Sequence, residues 1–323
     1  MSRYGNNVAN IGSLTNSTAG KYLVRYNQAN IGVQTQGIGD GYKAYLNIPT
    51  PYGIALARIV IKGGPEDVNT VRNLQDQLNI KLIPRSTVSR APKLDLSLFL
   101  KPEFIPSSNN SLGRVVLGLA AALAPYNEPE VVQDRSWVRQ VLQDAGIDFT
   151  TKIFRQPPNT NLTEAMAAAN ASIIALDSQP GYTLHLGNDW TAPAPQIQGN
   201  FHSYYQARYK TALEVYVALT AEQTVYPVHD LLEVGPNQAV LFHFSGRPPI
   251  SGGFWSLTAY NGRLFFTENK LNRYAIGDRS NLTFPDGTLV YGKGAADGSF
   301  DILLQPNDVV PPQNWTDKYV SFH

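Results

Sequence analysis

The sequence predicts a mainly β, α+β chain with an N-terminal antiparallel β-domain, a helical bridge and a C-terminal jelly-roll-like β-sandwich. Three observations lead to this prediction: short β-type runs broken by glycine and proline near the start, helical spacing in the middle, and repeated hairpin signals near the end. The 323 residues are enough for two domains, each with its own core.

Residues 1–90 predict a partial N-terminal β-domain. Three β-type runs, at 22–26, 42–48 and 54–61, are separated by turn signals such as the glycines at 37, 39 and 41. These glycines have the wrong spacing for a dinucleotide-binding loop, so we interpret them as a turn cluster. Pro65 then opens an apolar spacing that predicts a short helix ending near Asn79.

Residues 91–225 predict a linker and a helical bridge. Prolines and polar residues make 91–110 a linker or a wrapped loop. Apolar residues then recur at helical spacing at 112–123, 131–145, 163–176 and 204–219, and Gly146 caps the second of these helices. We expect the helix at 204–219 to pack on the C-terminal domain.

Residues 226–323 predict the C-terminal sandwich. Asn-Gly at 261–262 and Asp-Gly at 286–287 and 297–298 each adjoin β-type runs. Such pairs supply the positive φ angles that tight or bulged hairpin turns need. Meandering strands joined in this way indicate a sandwich, a jelly roll or a barrel.

Composition excludes several classes of function. The 26 Lys and Arg residues against 25 Asp and Glu residues give a net charge of +1 without a run of one sign, so no nucleic-acid or anionic-membrane surface is expected. The chain has no cysteine, which excludes disulfides and thiolate sites. Its most apolar stretch, at 115–123, is too short for a transmembrane segment and predicts a buried helix.

Common catalytic and metal-binding signatures are absent from the sequence. It contains no Gly-x-Ser-x-Gly, Ser-x-x-Lys or His-Glu-x-x-His motif. The histidines at 185, 202, 229, 243 and 323 lie singly, without the spacing that would place two ligands on one face. We therefore expect no metal and no cofactor, with a metal site formed across strands as the alternative.

Several stretches of the chain resemble a known family. They read YGNNVANIG at 4–12, AGKYL at 19–23, NTVRNLQDQL at 69–78, FWSLTAYNG at 254–262, ENKLNRYAIGDR at 268–279 and DGSFDI at 297–302. In order, spacing and identity they resemble the paired domains of unknown function 1254 and 1214 (DUF1254/DUF1214), over nearly the whole chain. The resemblance implies an N-terminal β-domain, a helical bridge and a jelly-roll-like sandwich, but no established mechanism.

The chain departs from the family pattern at both ends. Family members begin before the stretch at 4–12, often with a secretory leader, and continue past Trp315 to a last β-strand. We expect a truncated gene model, with a shorter functional paralogue as the alternative. No apolar leader follows Met1, and N-glycosylation sequons leave a secreted full-length parent open.

A first cluster of candidate site residues lies between predicted C-terminal strands. Asn272, Arg273 and Tyr274 combine an amide, a guanidinium and a phenol, with Asp278 close behind. Arg273 would bind a carboxylate bidentately, Tyr274 would donate a hydrogen bond or a proton, and Asp278 is a candidate base. The alternative, which we favour, is an Arg–Asp pair that only braces the connection.

A second cluster lies on the last predicted helix. Tyr205 and Arg208 share one face of that helix. With Tyr226, Trp255 and Tyr260 they would line an aromatic, cation-bearing pocket between helix and sheet, in which Tyr205 is a second candidate acid. The alternative is an amphipathic helix whose tyrosines are core side chains, which such spacing more often indicates.

Three classes of function stay open. An enzyme would transform a small carboxylated or carbonyl compound in an interdomain pocket. His229, near Asp230 and Glu233, is a further candidate base for it, and a solvated loop is the more ordinary interpretation of these three residues. A binding module would hold the same ligand without turnover. A structural or assembly protein would form homo-oligomers through its sheet faces.

Overall fold

The structure is a computed structural model. It describes residues 6–39, 41–61, 63–84, 91–108, 110–215, 217–229, 234–235, 238–251, 253–269, 271–295, 297–306, 309–310, 313, 315 and 319–322. These residues form a mixed α+β fold with small sheets of two or three strands.

The helices and strands follow in chain order. The helices are α1 (Gly64–Gln77), α2 (Leu96–Phe99), α3 (Leu112–Leu123), α4 (Arg135–Asp144), α5 (Leu162–Ile174) and α6 (Tyr205–Glu214). The strands are β1 (Lys21–Tyr26), β2 (Gly32–Gln34), β3 (Tyr42–Ile48), β4 (Ile147–Asp148), β5 (Ile153–Phe154), β6 (Thr183–Gly187), β7 (Trp190–Pro193), β8 (Val228–His229), β9 (Val240–Phe244), β10 (Ser256–Leu257), β11 (Ile276–Gly277), β12 (Phe300–Pro306) and β13 (Tyr319–Phe322).

The chain divides into two compact units. Unit 1 consists of Met1–Leu56 and Ile83–Asp230, and unit 2 consists of Ala57–Leu82 and Leu231–His323. Unit 1 therefore holds β1 to β8 and α2 to α6, whereas unit 2 holds α1 and β9 to β13. The domain boundaries expected at 90/91 and 225/226, and the packing of the last helix on the C-terminal domain, stay predictions.

The N-terminal sheet has the order β1-β3-β2 and is mixed, so the expectation of a purely antiparallel domain is wrong. β2 pairs with β3 antiparallel, whereas β1 pairs with β3 parallel. The link between β1 and β3 contains β2, which returns the chain to the starting end of the sheet and allows a parallel pair. Side chains fix the register, since Arg25 Nε donates to Asn47 Oδ1 at 2.7 Å and Asn47 Nδ2 donates to Gln34 Oε1 at 3.1 Å.

The third predicted β-run of this region is not a regular strand. The residues at 54–61 carry no strand assignment, and Val60 and Ile61 are exposed. An apolar run reads as a strand from sequence alone, but it needs a pairing partner to become one. The polypeptide passes from unit 1 to unit 2 in this stretch, after Leu56.

The helices of unit 1 begin at polar caps that the sequence supplies. The hydroxyl of Ser111 accepts the N–H of Arg114 at the start of α3, and the Asn161 side chain accepts the N–H of Thr163 at the start of α5. α3 has the bounds that its spacing predicts. α6 ends at Glu214, with Val215 as its C-cap, instead of continuing to 219; Tyr216 lies outside the described residues.

Unit 2 has its own core around β12. Phe300, Ile302 and Leu304 alternate along β12 and are buried on one face with Ile276 and Val290. β12 pairs antiparallel with β9 and parallel with β13, and β10 pairs with β11. The described strands do not form a recognisable jelly roll, so the jelly-roll-like sandwich stays a prediction.

Two of the predicted hairpin turns are clear in unit 2, although one uses different turn geometry. At Asp286-Gly287 the bridge between Thr283 and Leu289 closes the turn, and Gly287 has a φ of 85°. At 261–262 a bridge joins Tyr260 to Phe266, but the left-handed residue is Leu264, with a φ of 63°. The Asn261 side chain accepts the N–H groups of Arg263 and Phe265, which closes a longer turn than the Asn-Gly pair predicts.

Within the described part of the chain, no helix combines the length and the apolar character that spanning a bilayer requires.

Candidate functional site

A cleft in unit 1 lies between α3, α4 and α6. Its volume is about 310 Å³, near the lower end of the range of about 300–1,000 Å³ that is typical of ligand pockets. Most of its lining is apolar, and the lining residues are Ala120, Leu123, Ala124, Asn127, Pro129, Val138, Leu142, Tyr205 and Arg208. The cleft therefore suits a small organic molecule with a large apolar part.

α3 and α4 supply the apolar walls. Ala120 and Leu123 on α3, with Ala124 directly after it, lie at positions i, i+3 and i+4, so they form one stripe. Val138 and Leu142 on α4 lie one turn apart and face the same space. The two alanines leave room where larger side chains would fill the cleft.

Tyr205 forms part of the third wall, and a buried carboxylate fixes its hydroxyl. Tyr205 Oη donates to Asp134 Oδ2 at 2.7 Å, and Trp137 Nε1 donates to Asp134 Oδ1 at 3.1 Å. The Trp137 and Tyr205 rings meet edge to face, with centroids 5.5 Å apart. Hydrogen bonds from Ser203 and Tyr205, and less from Trp137, hold the pKa of Asp134 below its ordinary value despite burial.

Arg208 lies one helical turn after Tyr205 and stacks on its ring. The guanidinium Cζ is 4.6 Å from the ring centroid, and both side chains are half-buried. The buried Ala207 and the ion pair between Lys210 and Asp177 hold α6 in place. The structure thus brings together at one cleft the tyrosine and the arginine that the helical spacing pairs.

The segment between α3 and α4 forms the polar end of the cleft. Asn127 is buried, and its Nδ2 donates to the Leu123 carbonyl at 2.7 Å. Arg135 Nε donates to the Pro129 carbonyl at 3.0 Å, and its Nη1 lies 3.6 Å from Glu128 Oε2. These contacts hold Asn127 and Pro129 in the cleft wall.

An asparagine near the start of the chain ties two parts of unit 1 together. Asn6 is fully buried, its Nδ2 donates to Glu130 Oε1 at 2.7 Å, and its Oδ1 accepts the N–H of Phe201 at 3.2 Å. Asn7 N–H donates to the Gly199 carbonyl at 2.6 Å. Asn6 therefore links the segment before α4 to the segment before α6, and both segments lead into walls of the cleft.

Trp255 and Asp278, two candidates from the sequence, are built into unit 2. Trp255 Nε1 donates to Tyr291 Oη at 2.5 Å, and the Trp255 ring lies against the Phe300 ring in the core. Asp278 Oδ1 accepts the Trp255 N–H at 3.0 Å. Burial raises the pKa of the Tyr291 hydroxyl.

Asp278 forms an ion pair with Arg279 in unit 2. Asp278 Oδ2 lies 3.5 Å from Arg279 Nε, and the Asp278 side chain is 7% exposed. Arg279 Nη1 also donates to the Ile61 carbonyl at 2.8 Å, within unit 2. The bracing pair is therefore Asp278–Arg279.

Tyr260 and Tyr274 lie in an exposed aromatic row of unit 2, which we define as Tyr260, Phe266 and Tyr274. The Tyr260 and Phe266 rings stack with centroids 4.8 Å apart, and the Phe266 and Tyr274 rings lie 5.8 Å apart. Asn272 and Arg273 lie in the turn that precedes Tyr274. Asn272 has a φ of 49°, and the Arg273 N–H donates to the Asn269 side chain at 3.0 Å.

Tyr226 and His229 belong to unit 1. Tyr226 is exposed, and His229 on β8 pairs with Trp190 on β7, with ring centroids 5.4 Å apart. Among the described residues, the buried Nδ1 of His229 has no hydrogen-bond partner. Asp230 and Glu233 lie outside the described residues.

Two family models match the chain. One is "Protein of unknown function (DUF1254)", over residues 1–82, and the other is "Protein of unknown function (DUF1214)", over residues 235–319. The chain belongs to the DUF1254/DUF1214 family. The resemblance stated from the sequence is confirmed. No curated protein and no solved structure shows a significant match.

The candidate residues fall into two groups according to their position relative to the two matched domains. Trp255, Tyr260, Asn272, Arg273, Tyr274 and Asp278 lie in the DUF1214 domain, whereas the cleft is built from residues between the two matched domains. Asn6 of the DUF1254 domain contacts Glu130 and Phe201, in the segments that precede α4 and α6. A single pocket shared by all the predicted residues stays a prediction.

Sequence reasoning missed Asn127, Asp134 and Trp137. An acid beside a predicted helix start is ordinarily interpreted as a partner of the helix dipole. The contact from Asp134 to Tyr205 joins residues 71 positions apart, so no local pattern could indicate it. Within the described residues, no group of three His, Asp or Glu side chains is arranged to hold a metal ion.

Proposed function

We propose that the chain binds a small, largely apolar carboxylate in the cleft between α3, α4 and α6, with Arg208 as the anion-binding group. The observation that carries the proposal is the lining itself, in which Arg208 is the cationic residue among apolar side chains. A guanidinium has five N–H donors in a planar fork that matches a carboxylate, and Arg208 lies on the Tyr205 ring in the wall of this cleft.

The lining favours one charge and an apolar body. A single guanidinium neutralises one carboxylate, and a more highly charged ligand would leave anionic groups against Leu123, Val138 and Leu142. The volume of about 310 Å³ is near the lower end of the range of about 300–1,000 Å³ for ligand pockets, so the ligand is small. A compound such as 3-phenylpropionate is therefore a suitable probe.

The test compares 3-phenylpropionate with its neutral amide by isothermal titration calorimetry. Arg208→Gln should weaken binding of the acid by about 10- to 100-fold, because hydrogen bonds to charged groups contribute about 1.5–3 kcal/mol. Binding of the amide should change little.

Arg139→Gln is the matched control. Arg139 also stacks on an aromatic ring, with Cζ 4.5 Å from the Phe149 centroid, but it does not line the cleft. The substitution removes the same charge and should leave both affinities unchanged. Absence of binding to the wild-type chain, or equal losses in the two variants, would refute the proposal.

The second candidate function is assembly of identical chains without a ligand. The exposed aromatic row favours it, because contiguous exposed aromatic side chains are typical of protein interfaces. Light scattering across a concentration series would detect such assembly. Phe266→Ser should abolish it, and a chain that stays monomeric at all concentrations would exclude it.

A further inference from the structure

We infer that Asp134, a residue outside the cleft lining, positions Arg208 for anion binding through the ring of Tyr205. The inference rests on the proposed function of the cleft. Two contacts in series support it: the Tyr205 hydroxyl donates to Asp134 Oδ2 at 2.7 Å, and Arg208 Cζ lies 4.6 Å from the Tyr205 ring centroid.

The first contact fixes the tyrosine ring. Asp134 is 8% exposed, and its second oxygen accepts Trp137 Nε1 at 3.1 Å. Trp137 also contacts the Tyr205 ring edge to face. The ring is therefore held at its hydroxyl and along its side, which restricts rotation about both of its side-chain torsions.

The second contact transmits this restriction to the arginine. A free arginine side chain has many rotamers, and holding it in one geometry on binding an anion lowers affinity. A guanidinium already stacked on a fixed ring loses less of this freedom. Asp134 therefore acts as a positioning residue and does not contact the ligand.

The same geometry fixes the hydrogen-bonding role of the Tyr205 hydroxyl toward a ligand. Its proton is directed at Asp134, so toward a ligand its oxygen can act only as a hydrogen-bond acceptor. A ligand carboxylate should therefore lie on Arg208 and not on the Tyr205 hydroxyl. A donor group on the ligand, such as a hydroxyl next to the carboxylate, matches the tyrosine oxygen.

The first measurement uses the protein without ligand. The order of the Arg208 Nε–H group can be measured by NMR relaxation, with Arg208→Gln identifying the signal. Asp134→Asn should increase the mobility of this group, whereas Asp148→Asn, at a carboxylate that accepts the N–H groups of Thr150 and Thr151, should not. Equal order in the wild type and in Asp134→Asn would overturn the inference.

The second measurement uses binding of 3-phenylpropionate and its amide. Asp134→Asn should weaken binding of the acid by about 2- to 10-fold, the effect of one newly mobile side chain, and should leave the amide unaffected. In an Arg208→Gln background it should have no further effect. A loss that is equal for acid and amide, or that persists without Arg208, would show a merely structural role and overturn the inference.

Tyr205→Phe provides an independent variant. It removes the hydrogen bond to Asp134 but keeps both the ring and the charge, so it should reproduce the effects of Asp134→Asn even where that variant folds poorly. The two claims can fail separately. If the wild-type chain binds no carboxylate but Asp134→Asn still makes Arg208 more mobile, the proposed function is refuted and the positioning of Arg208 is supported.

Discussion

Gly146 ends α4, and we predict that adding one methyl group there destabilises unit 1 much more than the same change at Gly187. Both glycines have left-handed backbones, with φ of 95° and 89°. A methyl group on Gly146 would lie 2.0 Å from the Arg155 carbonyl oxygen, whereas one on Gly187 meets no atom within 4 Å. The pair therefore separates the cost of backbone conformation from the cost of a clash.

The magnitudes follow from these two terms. A left-handed conformation costs an L-residue about 1–2 kcal/mol, and both variants carry this term. Forcing an extra methyl group into a packed site adds about 1–3 kcal/mol, and only Gly146→Ala carries this term. The Arg155 carbonyl cannot retreat without disturbing the β4–β5 pair, where the Arg155 N–H donates to the Gly146 carbonyl at 2.8 Å.

Thermal unfolding followed by circular dichroism would measure the difference. For a unit of this size 1 kcal/mol corresponds to about 2–4 °C in Tm. Gly146→Ala should therefore melt at least about 2 °C below Gly187→Ala. Equal Tm values for the two variants would refute the clash, and with it the close packing of the α4 end against β5.

Three further predictions concern stability. Asp134→Asn should lower the free energy of unfolding at pH 7 by about 1–3 kcal/mol. Because the pKa of Asp134 is lowered on folding, its contribution to the free energy of unfolding is present above the ordinary pKa of 3.8 and is lost as pH falls through the lowered pKa. In urea unfolding, the difference in stability between the variant and the wild type should therefore close below that pH. A difference that widens there would contradict the assignment. Asn6→Asp should lower the free energy of unfolding relative to the wild type, because it places a carboxylate beside Glu130 Oε1, now 2.7 Å from the Asn6 amide. This difference should narrow as pH falls toward 4, since the repulsion ends when either acid is protonated, and a difference independent of pH would refute the contact. Phe300→Ala, at a side chain 1% exposed, should destabilise unit 2 by about 3–5 kcal/mol. Leu241→Ala on the same sheet, at a side chain 54% exposed, should change stability by less than about 0.5 kcal/mol, and similar losses would show that the core is misplaced.

Local signals were sufficient for several elements. α3 could be predicted to its ends because an apolar periodicity follows a serine cap directly. The turn at Asp286-Gly287 could be predicted because glycine accepts a positive φ without a steric penalty. Tyr205 and Arg208 could be paired because residues three apart on a helix share a face, and the cleft contains both.

Non-local pairing could not be predicted in the same way. The parallel pairing of β1 with β3 depends on where β2 inserts, and the runs have the same composition in either direction. The surroundings of Trp255 could not be predicted from its residue type: it is partly buried, packs against the core of unit 2 beside Phe300 and donates to Tyr291. The hairpin of β6 and β7 was missed although its signal was local, since Asn188 and Asp189 supply two consecutive positive φ angles.

The route of the chain between the two units shows that the boundaries of the family domains and those of the structural units differ. The DUF1254 match covers residues 1–82, but 57–82, which includes α1, belongs to the unit that also holds the DUF1214 match. The end of the first domain in the sequence therefore does not coincide with a boundary between the two units. A break of the chain after residue 82 would leave α1 with the DUF1254 sequence and separate it from the remaining residues of unit 2.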